Sequence, residues 1–171
     1  IMLYNSTRGE SPVVPFSEVL LGGLAPDGGL YMPQTFPQFS IEEIESWSNL
    51  PFHKLASKIL YPYVEGEIEE SIFLKLLEEA YTSFDEDDVV KLKEIEENHW
   101  VLELFHGPTL AFKDVAMQLL GVLLNHFAKE NGQKIVVLGA TSGDTGAAAI
   151  SACARHENVE VYILYPHEKV T

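Results

Sequence analysis

The sequence predicts an α/β protein: an N-terminal lobe of short strands and helices, then the start of a parallel-sheet domain. Three textures predict it. The first forty residues hold Pro12, Pro15, Pro26, Pro33 and Pro37 with Gly9, Gly22, Gly23, Gly28 and Gly29, a density that favours short strands and turns over long helices. A middle stretch carries helical periodicity. From Trp100 onward, apolar runs of strand length alternate with helical segments, the pattern of βαβ units. We place the boundary between a lobe over residues 1–98 and an incomplete α/β domain over 99–171.

In the lobe, Asp27-Gly28-Gly29 is a turn signal, because glycine takes positive φ without a Cβ penalty. Ser40-Ile41-Glu42-Glu43 has capping-box spacing and starts the first predicted helix. A second helix is expected from Phe52 to Leu60, ahead of Pro62. Glu69 to Tyr81 carries Ile72, Phe73, Leu76, Leu77 and Ala80 on one helical face. Half of the acidic residues lie between Glu65 and Glu97, and such a run is expected to be the solvated face of helices.

In the second half, Trp100 to Phe105 reads as a strand ending at His106-Gly107-Pro108. Asp114 to Lys129 is apolar over most of its circumference, so it reads as a helix buried on a sheet, with Gly132 as its stop. Ile135 to Leu138 is continuously apolar and is expected to be a strand covered on both faces. Thr145 to Arg155 follows as helix, and Val159 to Tyr165 as the next parallel strand.

Composition narrows the function. The chain has 171 residues, with 26 acidic against 11 basic, a formal net charge of −15. That balance disfavours nucleic acid and anionic membrane as partners. The one cysteine, Cys153, excludes an intrachain disulfide and fits a buried packing thiol. No His/Cys/carboxylate cluster has metal-ligand spacing. No apolar run reaches the length of a membrane span and no secretory leader opens the chain, so a cytoplasmic protein is expected.

Two stretches carry chemistry. Lys113 stands between Phe112 and Asp114 where a helical pattern begins. A helix start and aromatic surface disfavour an ammonium, and a free amine is what a Schiff base with an aldehyde cofactor requires. The alternative is a surface lysine near a helix terminus. Gly139, Gly143 and Gly146 lie between a strand and a helix start, where backbone N–H groups converge on one spot. The hydroxyls of Thr141, Ser142 and Thr145 add donors for a carboxylate or phosphate. Gly146-Ala147 lacks the Lys-Ser/Thr of a nucleotide P-loop, and the spacing is not that of a dinucleotide loop. A tight turn without ligand is the other reading. Arg8 offers two parallel donors to an oxyanion, or is a packing arginine of the lobe. His106 reads as a loop hydrogen-bonder, and His126 as a helix-face residue.

Four stretches carry a resemblance. Tyr4-Asn5-Ser6-Thr7-Arg8-Gly9, Ala25 to Pro33, Thr109-Leu110-Ala111-Phe112-Lys113-Asp114 and Ala140 to Gly146 are similar, in this order, to segments of the threonine synthase group of fold-type-II pyridoxal-phosphate enzymes. The resemblance implies pyridoxal 5'-phosphate attached to Lys113, with Asp144 beside its ring hydroxyl and Phe112 packed nearby. It implies that Thr141, Ser142, Gly143 and Thr145 hold a substrate carboxylate, and that Arg8 takes part in substrate binding. The activity implied converts O-phospho-L-homoserine and water to L-threonine and phosphate. A threonine-synthase-like lyase acting on another phosphorylated hydroxyamino acid, another fold-type-II lyase and a silent anion-binding module are the alternatives. Members of this family are much longer, so the chain is expected to be an N-terminal portion, with Ile1 an added residue ahead of Met2. The cofactor's phosphate loop is expected outside it, and the chain alone is expected to be inactive.

Overall fold

A computed structural model describes residues 1–85 and 89–167. The chain packs as two compact units, Ile1–Lys75 and Leu76 onward.

The first unit is built on a three-stranded antiparallel sheet of order β2-β1-β3, from β1 (Leu3–Ser6), β2 (Val14–Pro15) and β3 (Tyr31–Pro33). Tyr4 pairs with Val14 on one side and Pro33 on the other. Proline-rich strands stay this short because each proline removes a ladder donor. One element was not foreseen: Phe16–Gly22 forms helix α1 directly after β2. Its residues are helix-compatible, and the surrounding prolines and glycines mark its ends rather than forbid it.

Helix α2 (Ile41–Ser46) starts on the expected capping box. The Glu43 N–H donates to Ser40 Oγ at 3.2 Å, and the Ser40 N–H donates to Glu43 Oε2 at 2.7 Å. Helix α3 (Phe52–Leu60) runs into a 3₁₀ turn over Tyr61–Tyr63, where Pro62 stops the α-helical bonds. The Tyr4 hydroxyl donates to the Tyr63 carbonyl at 2.7 Å and ties the sheet to this turn. Burial, then Glu67 and Tyr63, push the Tyr4 phenol up to about 12. Helix α4 (Glu70–Tyr81) buries Phe73, Leu77 and Ala80 on its apolar face.

After α4 comes an antiparallel hairpin of the second unit, β4 (Lys91–Glu96) and β5 (His99–Glu103), turned through Asn98 at φ 61°. This corrects the all-helical reading of the acidic run. Its end, Lys91 to Glu96, is a strand, because Leu92 and Ile95 have Trp100, Val101 and Leu102 to pair beside across the hairpin. Glu86 to Asp88 lie outside the described residues.

Helix α5 (Asp114–Glu130) ends where Gly132 takes φ 60° and donates to the Lys129 carbonyl. Strand β6 (Ile135–Ala140), helix α6 (Asp144–Cys153) and strand β7 (Val159–Leu164) form a βαβ unit whose strands pair in parallel from Ile135↔Val159 to Ala140↔Leu164. The expectation that β6 is covered on both faces fails in this chain. Val136, Leu138, Tyr162 and Leu164 are all more than half exposed, with Leu138 at 69%. The helices cover the other face only, so a strand with the composition of a doubly covered one alternates in burial. Cys153 is fully buried among Ala148, Ala149 and Ala152, as its neighbours predicted.

Candidate active site

Helices α5 and α6 run side by side in the same sense. Gln118 Nε2 donates to Ser151 Oγ at 3.2 Å, Gly121 lies against Ala152, and Asn158, beyond the end of α6, donates to Asn125 at 3.1 Å. Partners therefore advance together along the two segments. At 1.5 Å per residue, Lys113 and Gly143, which precede the two helices, lie at one end of the pair. Residues thirty apart in sequence share that end.

Lys113 occupies the position just before α5, and its side chain is half-buried. Its Nζ lies 4.6 Å from the centre of the Phe112 ring. Phe112 is 61% exposed, so it is not a core residue but an apolar wall beside the amine.

The loop before Lys113 is organised by Asp114, which is completely buried. One carboxylate oxygen accepts the Thr109 backbone N–H at 2.8 Å, and the other accepts the Thr109 hydroxyl at 2.7 Å. Gly107 packs against the same carboxyl: a Cβ there would stand 2.6 Å from Asp114 Oδ2. Between them Leu110 is held at φ 61°, a left-handed conformation that costs a non-glycine residue about 1 kcal/mol. The pattern Thr-x-x-x-x-Asp at a helix start could have drawn attention to the pair. Nothing in the residue types announced the strain at Leu110.

His106, at the start of this loop, meets Glu103 with Nε2 2.9 Å from Oε2, which bears out its reading as a loop hydrogen-bonder. Among the described residues no group of His, Cys, Asp and Glu could hold a metal ion.

The glycine loop joins β6 to α6. The Thr141 N–H donates to the Leu164 carbonyl at 3.0 Å, which continues the parallel pairing beyond β6. Thr141 Oγ1 accepts the Gly143 N–H at 3.3 Å. Helix α6 has no side-chain cap at its N-terminus, and Asp144 and Thr145 form its first, exposed turn with Ser142 exposed beside them. Gly146 lets the helix lie close to the loop, since a Cβ would be 2.7 Å from Thr141 Cγ2. Gly143 differs: a Cβ there meets no atom within 4 Å, so the backbone faces open space. An uncapped helix start, three hydroxyls and an open approach at Gly143 suit a carboxylate or phosphate oxygen.

Arg8 lies in the first unit. Its Nη1 donates to the Asp27 carbonyl at 2.9 Å, leaving the rest of the guanidinium at the surface. Asp27 is the hub of that turn, accepting the Ser6 hydroxyl at 2.7 Å and the N–H groups of Gly29 at 2.9 Å and Glu10 at 3.1 Å. These bonds, that from Ser6 foremost, hold its carboxyl at about 2.

A lysine before one helix and a glycine loop before its parallel neighbour can hold an aldehyde and an anion side by side. Residues 3–81 match the family described as the threonine synthase N terminus. Threonine synthase of Pseudomonas aeruginosa is 54% identical over 99% of this chain, and that of Saccharomyces cerevisiae is 41% identical over 99%. The crystal structure of pyridoxal-phosphate-bound threonine synthase from Brucella melitensis superposes with a TM-score of 0.96 at 47% identity over the whole chain. The yeast enzyme's structure gives 0.92 at 40% identity over 99% of it. The chain corresponds to the N-terminal portion of a fold-type-II pyridoxal-phosphate enzyme. Within that class it resembles the threonine synthases. It spans 36% of the length of the Pseudomonas and Saccharomyces proteins and 37% of the Brucella chain.

Proposed function

We propose that the whole polypeptide carrying this sequence is a pyridoxal-phosphate-dependent threonine synthase, a lyase that converts O-phospho-L-homoserine and water to L-threonine and phosphate. The observation that carries the reading is 54% identity to a threonine synthase along essentially all of this chain. The division into a lobe over 1–98 and a cofactor domain from 99 belongs to the same proposal, as does a cytoplasmic location. Among the described residues no helix is long and apolar enough to cross a membrane.

The residues present fit the cofactor: an amine on an aromatic wall, and an open, uncapped glycine loop at the same end of the helix pair. Bound pyridoxal phosphate supplies an electron sink for bonds at the substrate's α-carbon. Lys113 Nζ would hold the aldehyde carbon with Phe112 beside it, and Asp144 would serve the ring hydroxyl. Released from the aldehyde, the Lys113 amine would be the base at the substrate's α- and β-carbons, handing on each proton before it takes the next, and loss of phosphate from the γ-carbon would be balanced by protonation there and by addition of water at the β-carbon. Thr141, Ser142 and Thr145 would hold the substrate carboxylate, which approaches over the open face of Gly143 and so decides the bond presented to the base. Arg8 offers its guanidinium to an oxyanion of the substrate. The loop order suits a carboxylate rather than a nucleotide, because no lysine follows Gly146.

A second reading is a lyase of the threonine-synthase-like kind. The Xenopus laevis protein named threonine synthase-like 2 is 37% identical over 99% of this chain. Borohydride reduction of the cofactor-loaded polypeptide, followed by peptide mapping, should place the pyridoxyl label on Lys113, and label on another lysine would refute its assignment. Release of threonine from O-phosphohomoserine separates the two readings.

A further inference from the structure

We infer that Thr109 and Asp114 form a latch whose role is to position the Lys113 amine; the inference rests on the reading of Lys113 given above. Acidic residues in a helix's first turn ordinarily serve the helix, accepting its unpaired N–H groups. Asp114 does not. Both of its carboxylate oxygens go back to one residue, the backbone N–H and hydroxyl of Thr109, and no side chain caps α5.

The closure encircles Leu110 to Lys113. Within it the Leu110 N–H donates to the Gly107 carbonyl at 3.0 Å, and the Asp114 N–H donates to the Ala111 carbonyl at 3.0 Å. The Met117 N–H takes the Lys113 carbonyl at 2.9 Å into the helix ladder. Lys113 is thus held by the helix behind it and the latched loop before it. Two unfavourable choices accompany this arrangement: a carboxylate taken wholly out of water, and Leu110 in a left-handed conformation that its Cβ disfavours. A loop required only to connect β5 to α5 needs neither, since a glycine at 110 and an exposed cap would serve. Holding the backbone of 110–113 in one conformation limits where the lysine stem begins, and hence the positions its amine reaches. Thr109 and Asp114 touch no reacting atom; they are positioning residues.

The test uses the whole polypeptide, stripped of cofactor and mixed with pyridoxal phosphate. Attachment is followed by absorbance and trapped with borohydride for peptide mapping. Thr109→Val keeps the shape and the backbone bond but removes the hydroxyl bond to the carboxylate, and is expected to slow attachment at Lys113 about tenfold. Thr109→Ser restores the hydroxyl and should return the rate to within about twofold of wild type. Leu110→Gly frees the backbone while leaving both Asp114 bonds available. It should slow attachment about fivefold without lowering the thermal midpoint of the cofactor-free protein. Because that variant relieves strain, it decides the matter even if Thr109→Val does not fold. Wild-type rates in folded Thr109→Val or in Leu110→Gly would overturn the latch, as would a Thr109→Ser variant as slow as the valine. A wild-type label on another lysine would overturn the assignment of Lys113 and the latch with it. A Lys113 label with latch-independent rates would leave the assignment standing and remove only the latch.

Discussion

Two turns in this molecule are built on the same device and placed in opposite surroundings. In the first unit Asp27 gathers the Ser6 hydroxyl and two backbone N–H groups at the surface. In the second, Asp114 gathers a hydroxyl and an N–H with no exposure at all. Asp27 keeps some exposure, so water can reach its carboxylate when a partner is lost. Water cannot reach Asp114, so each bond lost there leaves a buried polar group unpaired. The comparison shows that an aspartate's hydrogen bonds define a turn in either setting, while burial decides how much stability depends on them.

The largest effect expected is at the buried turn. Asp114→Ala strands the Thr109 N–H and hydroxyl and opens a void beside Gly107, and should lower unfolding free energy by about 3 kcal/mol in denaturant titration. A loss no greater than that of Asp27→Ala would break the comparison. Next is Gly29→Ala at the Asp27 turn. Its new methyl would collide with the Ser6 hydroxyl and stand 3.1 Å from the Arg8 nitrogen, so steric rather than polar loss should cost about 2 kcal/mol.

Asp27 itself gives a smaller effect that can be read as pH dependence. Its carboxyl is held at about 2, below the ordinary 3.8, so its folded form releases the proton more readily than the unfolded chain. The sign follows: its stabilisation is present above pH 4 and is lost as pH falls toward 2. Thermal midpoints of Asp27→Asn against wild type should converge over that interval; a constant gap would show that the carboxylate's charge is irrelevant to the turn. The smallest effect on stability is at Gly143→Val, where nothing lies within 4 Å of the new Cβ. The midpoint should hardly move, whereas in the whole polypeptide the cofactor should remain attached and the absorbance change on adding O-phosphohomoserine should vanish. Loss of the cofactor instead would make this a phosphate loop rather than a carboxylate loop.

What was legible in the residues follows from range. The capping box at Ser40, the stop at Pro62, the face of Phe73 and Leu77 and the end at Gly132 each depend on residues a few positions apart. Local backbone geometry is enough to produce them. Lys113 and the Ala140-to-Gly146 loop also stood out locally, by residue type beside a helix start. Helix α1 was hidden because Pro15 and Gly22 read as breakers when they are boundaries. The β4–β5 hairpin was hidden because charges in Lys91 to Glu96 have no period that distinguishes a solvated strand from a solvated helix.

The sequence by itself determined the α/β class, most helix ends and the parallel βαβ connection, and it singled out the two segments proposed to carry chemistry. Those are set by hydrophobic period and by the steric limits of proline and glycine, which act within one turn or one strand. Only the tertiary structure decided that α5 and α6 run in parallel and bring Lys113 and Gly143 to one end. It alone decided that Asp114 is buried and bound to Thr109, that Leu110 is held left-handed, and that β6 and β7 expose one apolar face. Burial and strain belong to whatever packs against a residue, and that partner is brought there by the fold rather than by the neighbours in the chain.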